Sequence, residues 1–328
     1  MIELTAPVVQ APLAGGPSTP ELAAAVSDAG GLGFVAAGYL GVDALAAQLE
    51  RIRELTSAPF GVNLFVLQDS PVDDDAVAEY ARRLTGEADR YGVALGEPRF
   101  EDDDFAAKLD LVVADGVPVV STTFSCPPPE LVERVHGAGG EVWATVTNAG
   151  EATAAAAAGA DAIVAQGAEA GGHRGSWTDD DGPDLTLLEL LRSIDVALPL
   201  VAAGGIADAA GAGSALAAGA AAVQAGTAFL LCPEAATSAP HRRAIAAGGE
   251  TAMTRAFTGR RARGIVNEFM RAHPDAPSAY PHVHHLTAPL RAAARKAGDE
   301  QRINLWAGTQ LYRAQARPAA EVVAGLRP

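Results

Sequence analysis

The sequence predicts an α/β fold: a (β/α)8 TIM barrel with a polar insertion after strand three and a C-terminal helical appendage. Three observations carry that prediction. Short apolar runs alternate with helical patterns, as in a parallel sheet covered on its outer face by helices. The alternation repeats eight times, the number that closes a barrel. Glycines and amides recur at the ends of the runs, where barrels of this kind place their sites. An open doubly wound sheet is the competing architecture, and the count of eight argues against it.

The elements follow in order. Residues 7–16 form a short strand ending in Ala14, Gly15 and Gly16. Ser18, Thr19, Pro20 and Glu21 supply a hydroxyl cap, a first-turn proline and an early acid, opening a helix that runs over 22–29. Strand two covers 32–38 and its helix 42–55, and strand three, at 60–66, contains Asn63. Residues 72–115 are polar, with helical patterns at 76–91 and 104–115, and read as an insertion over the strand ends or an extra helical layer. Strand four (117–124), its helix (128–137), strand five (141–146) and an alanine-rich helix (149–158) follow. Strand six, Ala162-Ile163-Val164, leads into the glycine-rich stretch 165–175, then a helix at 185–194. Strand seven (199–206) ends on Gly204-Gly205, an alanine-rich helix covers 209–218, and strand eight (222–230) carries Gln224, Ala225, Gly226 and Thr227. The barrel core binding the ligand is thus expected over 1–235. The remainder, 236–328, is expected to pack on it and line the site, with an irregular or partly extended stretch at 251–270 and a helix at 280–297.

Aromatic residues are only 5 % of the chain although 49 % is hydrophobic, so the core must be built from Ala, Val and Leu. The net charge of −16 argues against a sequence-independent grip on nucleic acid. Acidic runs at 73–75, 102–104 and 179–181 read as solvated loops and helix starts. Cys126 and Cys232 lie far apart without metal-ligand spacing, and no metal site is expected. With no leader pattern and no apolar run of membrane-spanning length, a soluble, cytoplasmic protein is expected; a homo-oligomer stays open. Arg260-Arg261-Ala262-Arg263 reads as a solvated basic face, and His282, His284 and His285 read as pocket lining rather than a metal centre.

The chemistry is expected where the strand ends converge. Gly204-Gly205 and Gly226-Thr227, after strands seven and eight, sit where barrels seat a phosphate on backbone N–H groups. Asn63 and Gln166 are amides, each both donor and acceptor, which suits a heterocycle with alternating N–H and C=O groups such as an isoalloxazine. The alternative for both is that they satisfy loop backbone. His173 is the side chain best suited to moving a proton near neutral pH. No G-x-G-x-x-G after the first strand and no P-loop is present.

The segment from Ala11 to Leu22, Gly30-Gly31-Leu32-Gly33, Asn63-Leu64-Phe65, the histidine stretch 165–175, Ala203-Gly204-Gly205-Ile206, Gln224-Ala225-Gly226-Thr227 and the tail around Tyr280-Pro281 and Leu305-Trp306-Ala307-Gly308 together resemble the nitronate monooxygenases, formerly 2-nitropropane dioxygenases. The resemblance covers nearly the whole chain. It implies an FMN-dependent flavoprotein that oxidises alkyl nitronates, such as propionate 3-nitronate, with O2 to a carbonyl compound and nitrite or nitrate. It implies FMN contacts from Ala14, Gly15, Asn63, Gln166, Gly171, Gly204, Gly205, Gln224, Ala225, Gly226 and Thr227. By the same resemblance His173 would be the active-site base, and Tyr280 and His284 would line the substrate pocket. With Lys108 and Lys296 the only lysines, substrate anions would be met by His, Arg or backbone N–H. The rival expectation is an NAD(P)H-dependent quinone or enoyl-thioester reductase on the same barrel, and a more distant one is a barrel that binds flavin or phosphate without turnover.

Overall fold

In the computed structural model, which describes residues 1–182 and 184–327, the chain runs β1 (Val8–Gln10), α1 (Pro20–Asp28), β2 (Gly33–Ala36), α2 (Val42–Leu55), β3 (Phe60–Phe65), α3 (Asp74–Asp89), α4 (Phe105–Ala114), β4 (Val119–Thr123), α5 (Pro129–Gly137), β5 (Glu141–Val146), α6 (Ala149–Ala157) and β6 (Ala162–Gln166). It continues with β7 (Gly172–His173), α7 (Leu187–Ser193), β8 (Leu200–Ala203), α8 (Ala209–Ala217), β9 (Ala222–Ala225), α9 (Ala239–Ala247), β10 (Thr251–Thr254), β11 (Ala262–Ile265), α10 (Glu268–Ala272), α11 (His282–Ala297) and α12 (Ala319–Leu326). Pro328, the last residue of the expected tail segment, lies outside the described residues.

Eight parallel strands stand in the order β1-β9-β8-β6-β5-β4-β3-β2. Leu32, just before β2, donates to the Val8 carbonyl at 3.0 Å and accepts from Gln10 N at 2.9 Å, which closes the ring. The (β/α)8 expectation holds. Alternation along β3 shows how the sequence fills it. Phe60, Val62 and Leu64 face outward into the cluster with Leu45, Leu49 and Leu109 of the helices. The intervening positions turn into the barrel. A Cβ at Gly61 would run into the Phe34 ring, so glycine there lets Phe34 lie across the barrel floor beside Trp143, ring centroids 6.0 Å apart. Val119, Val164 and Val201 complete this apolar plug. The open end above it belongs to the site.

The polar insertion divides in two. Helix α4 is a regular member of the outer ring, packed through Leu109 and Val112. Helix α3 instead reaches the C-terminal segment: Val77, Tyr80 and Leu84 pack with Phe257, Phe269, Val283 and Leu286. The buried Tyr80 hydroxyl donates to the Ala256 carbonyl at 2.7 Å.

Two features of the C-terminal segment go beyond the expected irregular stretch and helices. Strands β10 and β11 form an antiparallel sheet whose third member is β7, with Ala262 opposite His173. Helix α12 returns to the barrel, where Val322, Val323 and Leu326 join Leu22, Val26 and Ala212 of α1 and α8 in one cluster. The eighth helix of the ring is therefore α12, and residues 226–318 stand between it and strand β9.

Candidate active site

A cavity of about 420 Å³ opens at the C-terminal ends of the barrel strands, within the ordinary size of a small-molecule or cofactor site. Ala14, Gly15, Asn63, Gln166, Gly171, His173, Gly204, Gly205, Gln224, Ala225, Gly226, Thr227 and His284 all line it. Tyr280 stands one layer back, lining a smaller adjoining cavity with Tyr39 and His284.

The glycine ends of β8 and β9 form one wall. Gly204 and Gly205 adopt φ of 110° and 69°, which a side chain would strain. The backbone N–H groups of Gly204, Gly205, Gly226 and Thr227 find no acceptor among the described residues. Four such donors grouped at strand ends form an anion cradle. The Thr227 hydroxyl is used differently, accepting from Gly308 N at 2.9 Å and tying the tail to the wall.

The amides behave differently from one another. Asn63 donates through Nδ2 to Ser121 Oγ at 2.9 Å, the Ser121 carbonyl at 3.2 Å and Thr123 Oγ1 at 3.0 Å. A carbonyl accepts only, so the amide orientation is fixed and Oδ1 is left as an acceptor. Gln166 uses both ends on the histidine loop: Nε2 donates to the His173 carbonyl at 3.0 Å, and Oε1 accepts from Gly175 N at 2.8 Å. Its place is that of a loop holder with one N–H to spare. The Gln224 amide lines the cavity with no protein partner among the described residues.

His173 sits on β7, paired with β11 on one side and held by the Gln166 side chain of β6 through its carbonyl. Its Nε2 lies 2.9 Å from Thr258 Oγ1, and its ring packs against Phe124, Tyr280 and Trp306 at 5.6–5.8 Å between centroids. Burial first, then the charges of Arg260 and Arg291, pushes its pKa down from 6.5 to about 3. The imidazole is neutral at working pH. His284 is likewise held neutral, near 2, by burial and the adjacent Arg291. It stacks flat on Tyr39 at 4.2 Å, and its Nδ1 faces Arg291 Nη2 at 3.2 Å. Tyr39 and Phe124, at the ends of β2 and β4, hold positive φ of 69° and 83°. Aromatic residues in that region cost about 1–3 kcal/mol each and mark places where function outweighs local comfort.

The residues matching the profile of the nitronate monooxygenases run from 1 to 327. The chain belongs to the nitronate monooxygenase family. A probable nitronate monooxygenase of Staphylococcus aureus is 36 % identical over 339 residues, covering 99 % of this chain and 94 % of that protein. The crystal structure of nitroalkane oxidase from Streptomyces ansochromogenes superposes with a TM-score of 0.96 at 49 % identity, covering 98 % and 95 % of the two chains. FabK from Thermotoga maritima is more distant, with a TM-score of 0.77 at 26 % identity over 98 % and 92 %. The protein is an oxidoreductase.

In this nitronate monooxygenase family member, several expectations at the rim need correction. Arg260–Arg263 is no solvated face. Arg260 is buried over the Phe124 ring at 4.4 Å and donates to the Ser176 carbonyl, while Arg263 Nε donates to the Ala168 carbonyl at 2.9 Å. The run lies against the histidine loop because β11 pairs with β7. Nor are two acidic runs simply solvated. Asp179 accepts from Arg255 at 2.8 Å, Ser278 at 2.6 Å and Arg261 N at 3.1 Å. Asp103 holds the buried Lys108 at 2.8 Å and accepts from Tyr39 N at 3.0 Å. The three histidines of α11 diverge: His284 turns to Tyr39, His285 to Glu101 at 3.3 Å, and His282 is buried at Nδ1 without a partner. No group of three or more His, Cys, Asp or Glu among the described residues is arranged to hold a metal, and no helix is long and apolar enough to cross a membrane. Sequence reasoning missed Tyr39, Thr258, Arg291 and Arg295, whose local sequence carries no motif, and gave Trp306, though it lies in a quoted tail motif, no place on the cavity; only the turn of α11 back over the barrel mouth places the two arginines there.

Proposed function

We propose that the protein binds FMN and oxidises alkyl nitronates with O2, giving a carbonyl compound and nitrite or nitrate. The residues fit the cofactor: four unpaired N–H groups for a phosphate, an acceptor at Asn63 Oδ1 and amide groups of Gln166 and Gln224 for a polar ring edge, in a cavity of suitable size. FMN, when bound, supplies the redox chemistry, accepting electrons from the substrate and delivering them to oxygen. The chain supplies the rest. Small residues at Ala14, Gly15 and Gly171 let a flat ligand approach the backbone, and the aromatic wall of Tyr39, Phe124 and Trp306 excludes water.

The observation that carries this reading is the neutral His173 on the same cavity wall. A nitronate is already an anion, so no strong base is required. A neutral imidazole held at Nε2 by Thr258 offers its remaining nitrogen to the nitronate oxygens, and the arriving anion pulls its pKa back up. A base with a pKa near 3 is a weak acceptor for the α-proton of a neutral nitroalkane.

The test is to mix the oxygen-free holoenzyme with an alkyl nitronate, and separately with NADH or NADPH, and follow the flavin spectrum. Reduction by the nitronate and indifference to pyridine nucleotides is expected. Bleaching by NADH or NADPH alone would assign it instead to the reductase chemistry. His173→Ala should keep FMN binding and lose at least about tenfold in kcat/KM; unchanged nitronate kinetics would remove His173 from the reaction.

A further inference from the structure

The His173 ring has a single hydrogen-bond partner among the described residues, the Thr258 hydroxyl, 2.9 Å from Nε2. Thr258 is 2 % exposed and lies in the turn between β10 and β11. Its hydroxyl has a second neighbour, the Arg260 carbonyl at 3.3 Å. That carbonyl accepts from no other group among the described residues. At the other edge of the ring, Nδ1 has no partner among them and is not enclosed by protein. Since His173 and Thr258 both line the cavity, Nδ1 is the nitrogen open to a ligand.

Counting protons limits this group to two arrangements. A threonine hydroxyl carries one hydrogen, a neutral imidazole carries one on its ring nitrogens, and a carbonyl carries none. In the first arrangement Thr258 donates to the Arg260 carbonyl and accepts from Nε2–H, which leaves a lone pair on Nδ1. In the second the hydroxyl turns and donates to Nε2, Nδ1 carries the hydrogen, and the Arg260 carbonyl loses its bond. The contact given up is the longer of the two, so the second arrangement forfeits the weaker bond. The ring is uncharged in both. Between them Nδ1 gains a proton from cavity water while Nε2 passes one through the Thr258 hydroxyl to that water, and the balance is zero.

The two arrangements present opposite chemistry to the cavity. A lone pair at Nδ1 accepts from an O–H or N–H and repels an anion, whereas an N–H there donates to one. A ligand shifts such an equilibrium by the difference in its affinity for the two states. Burial and the charges of Arg260 and Arg291 oppose a second proton on this ring. Moving the proton it already holds is the easier route to an N–H at Nδ1.

We propose that Thr258 is a positioning residue that switches the His173 tautomer: its hydroxyl turns from the Arg260 carbonyl to Nε2 when an anion enters, giving the neutral ring an N–H at Nδ1 for a nitronate oxygen. This rests on the nitronate reading above and deepens it.

The test reads the tautomer directly, by nitrogen NMR of the isotope-labelled oxidised holoenzyme with and without sodium nitrate. Nitrate is planar, carries the O–N–O head of a nitronate and is already fully oxidised. The His173 signals are identified by their loss in His173→Gln. In the wild type the hydrogen is expected on Nε2 without nitrate and on Nδ1 with it. Thr258→Val, which keeps the shape and removes the hydroxyl, should show no such exchange and lose about tenfold in kcat/KM for propyl-1-nitronate. Thr258→Ser should exchange as the wild type does, recover kcat/KM to within about threefold, and serve if the valine variant does not fold. A wild-type ring that keeps one tautomer when nitrate is added, or that becomes doubly protonated, overturns the proposal. So does a valine variant that exchanges normally, or a serine variant that does not exchange. Because the NMR comparison needs no turnover, it decides the switch even where no nitronate is oxidised, an outcome in which the nitronate reading alone fails.

Discussion

His173, His241 and His284 are imidazoles that folding keeps neutral, at about 3, 4 and 2 against an ordinary 6.5, in each case chiefly through burial. The sign for stability follows. Below about pH 6.5 the unfolded chain takes up a proton at each position and the folded chain does not, so stability is complete above that pH and is lost as pH falls toward the folded values. Each contributes up to roughly 1.4 kcal/mol per pH unit. Because all three also border the cavity, the expected loss between pH 7.5 and 5.5 is discounted to about 2–3 kcal/mol, measured as the urea unfolding free energy. A flat profile over that range would mean that these rings protonate in the folded protein. For His173 the same burial explains what sequence could and could not show. The glycine-rich setting identified it as a site residue. Its low basicity arises first from burial against Phe124, Tyr280 and Trp306 and then from the charges of Arg260 and Arg291, all distant in sequence.

At the scale of elements, the histidine loop and the tail are one unit. A Cβ on Gly171 would meet the backbone N of Gly308 and, at 2.5 Å, the carbonyl carbon of Ala307. Thr309 N donates to the Glu169 carbonyl at 3.0 Å, and His241 Nε2 to the Trp306 carbonyl at 3.1 Å. Gly171→Ala should therefore push the two segments apart, lowering FMN affinity and kcat/KM by about tenfold or more while leaving the barrel folded by far-ultraviolet circular dichroism. Wild-type affinity in that variant would show that the contact yields freely. The barrel strands were legible in the sequence because a strand covered on both sides is apolar along its length, and glycines stop it cleanly. The small β7-β10-β11 sheet was not. Its strands are two to four residues long, and Arg261 and Arg263 give it the look of a surface run. Their acceptors, Ala168 and Asp184, stand about eighty to ninety-five residues earlier in the chain.

For the whole molecule, the decisive contact is between the ends. Val323 is 1 % exposed within the cluster formed by α12, α1 and α8. Placing a carboxylate there removes apolar packing and buries an unpaired charge, which costs several kcal/mol. Val323→Asp should lower the urea midpoint by the equivalent of about 3 kcal/mol or more and increase dye binding to exposed apolar surface. A variant as stable as wild type would show that the helical ring closes without α12. Eight α/β repeats were readable along the sequence, but the partner of the eighth strand was not: the helix that covers it follows some ninety residues of intervening chain, and apolar residues on one face of a short helix do not name the surface they will cover.

That arrangement has a consequence for biosynthesis. A ribosome releases the barrel strands in order, yet the groove between α1 and α8 stays bare until residues 319–326 leave the exit tunnel. For most of translation the nascent chain therefore presents a greasy slot along its flank, and the glycine wall at the ends of β8 and β9 must be assembled from a cylinder whose outer wall is missing one stave. Chaperone engagement should be longest for this stage and should end once residues 319–326 have emerged and α12 seats itself.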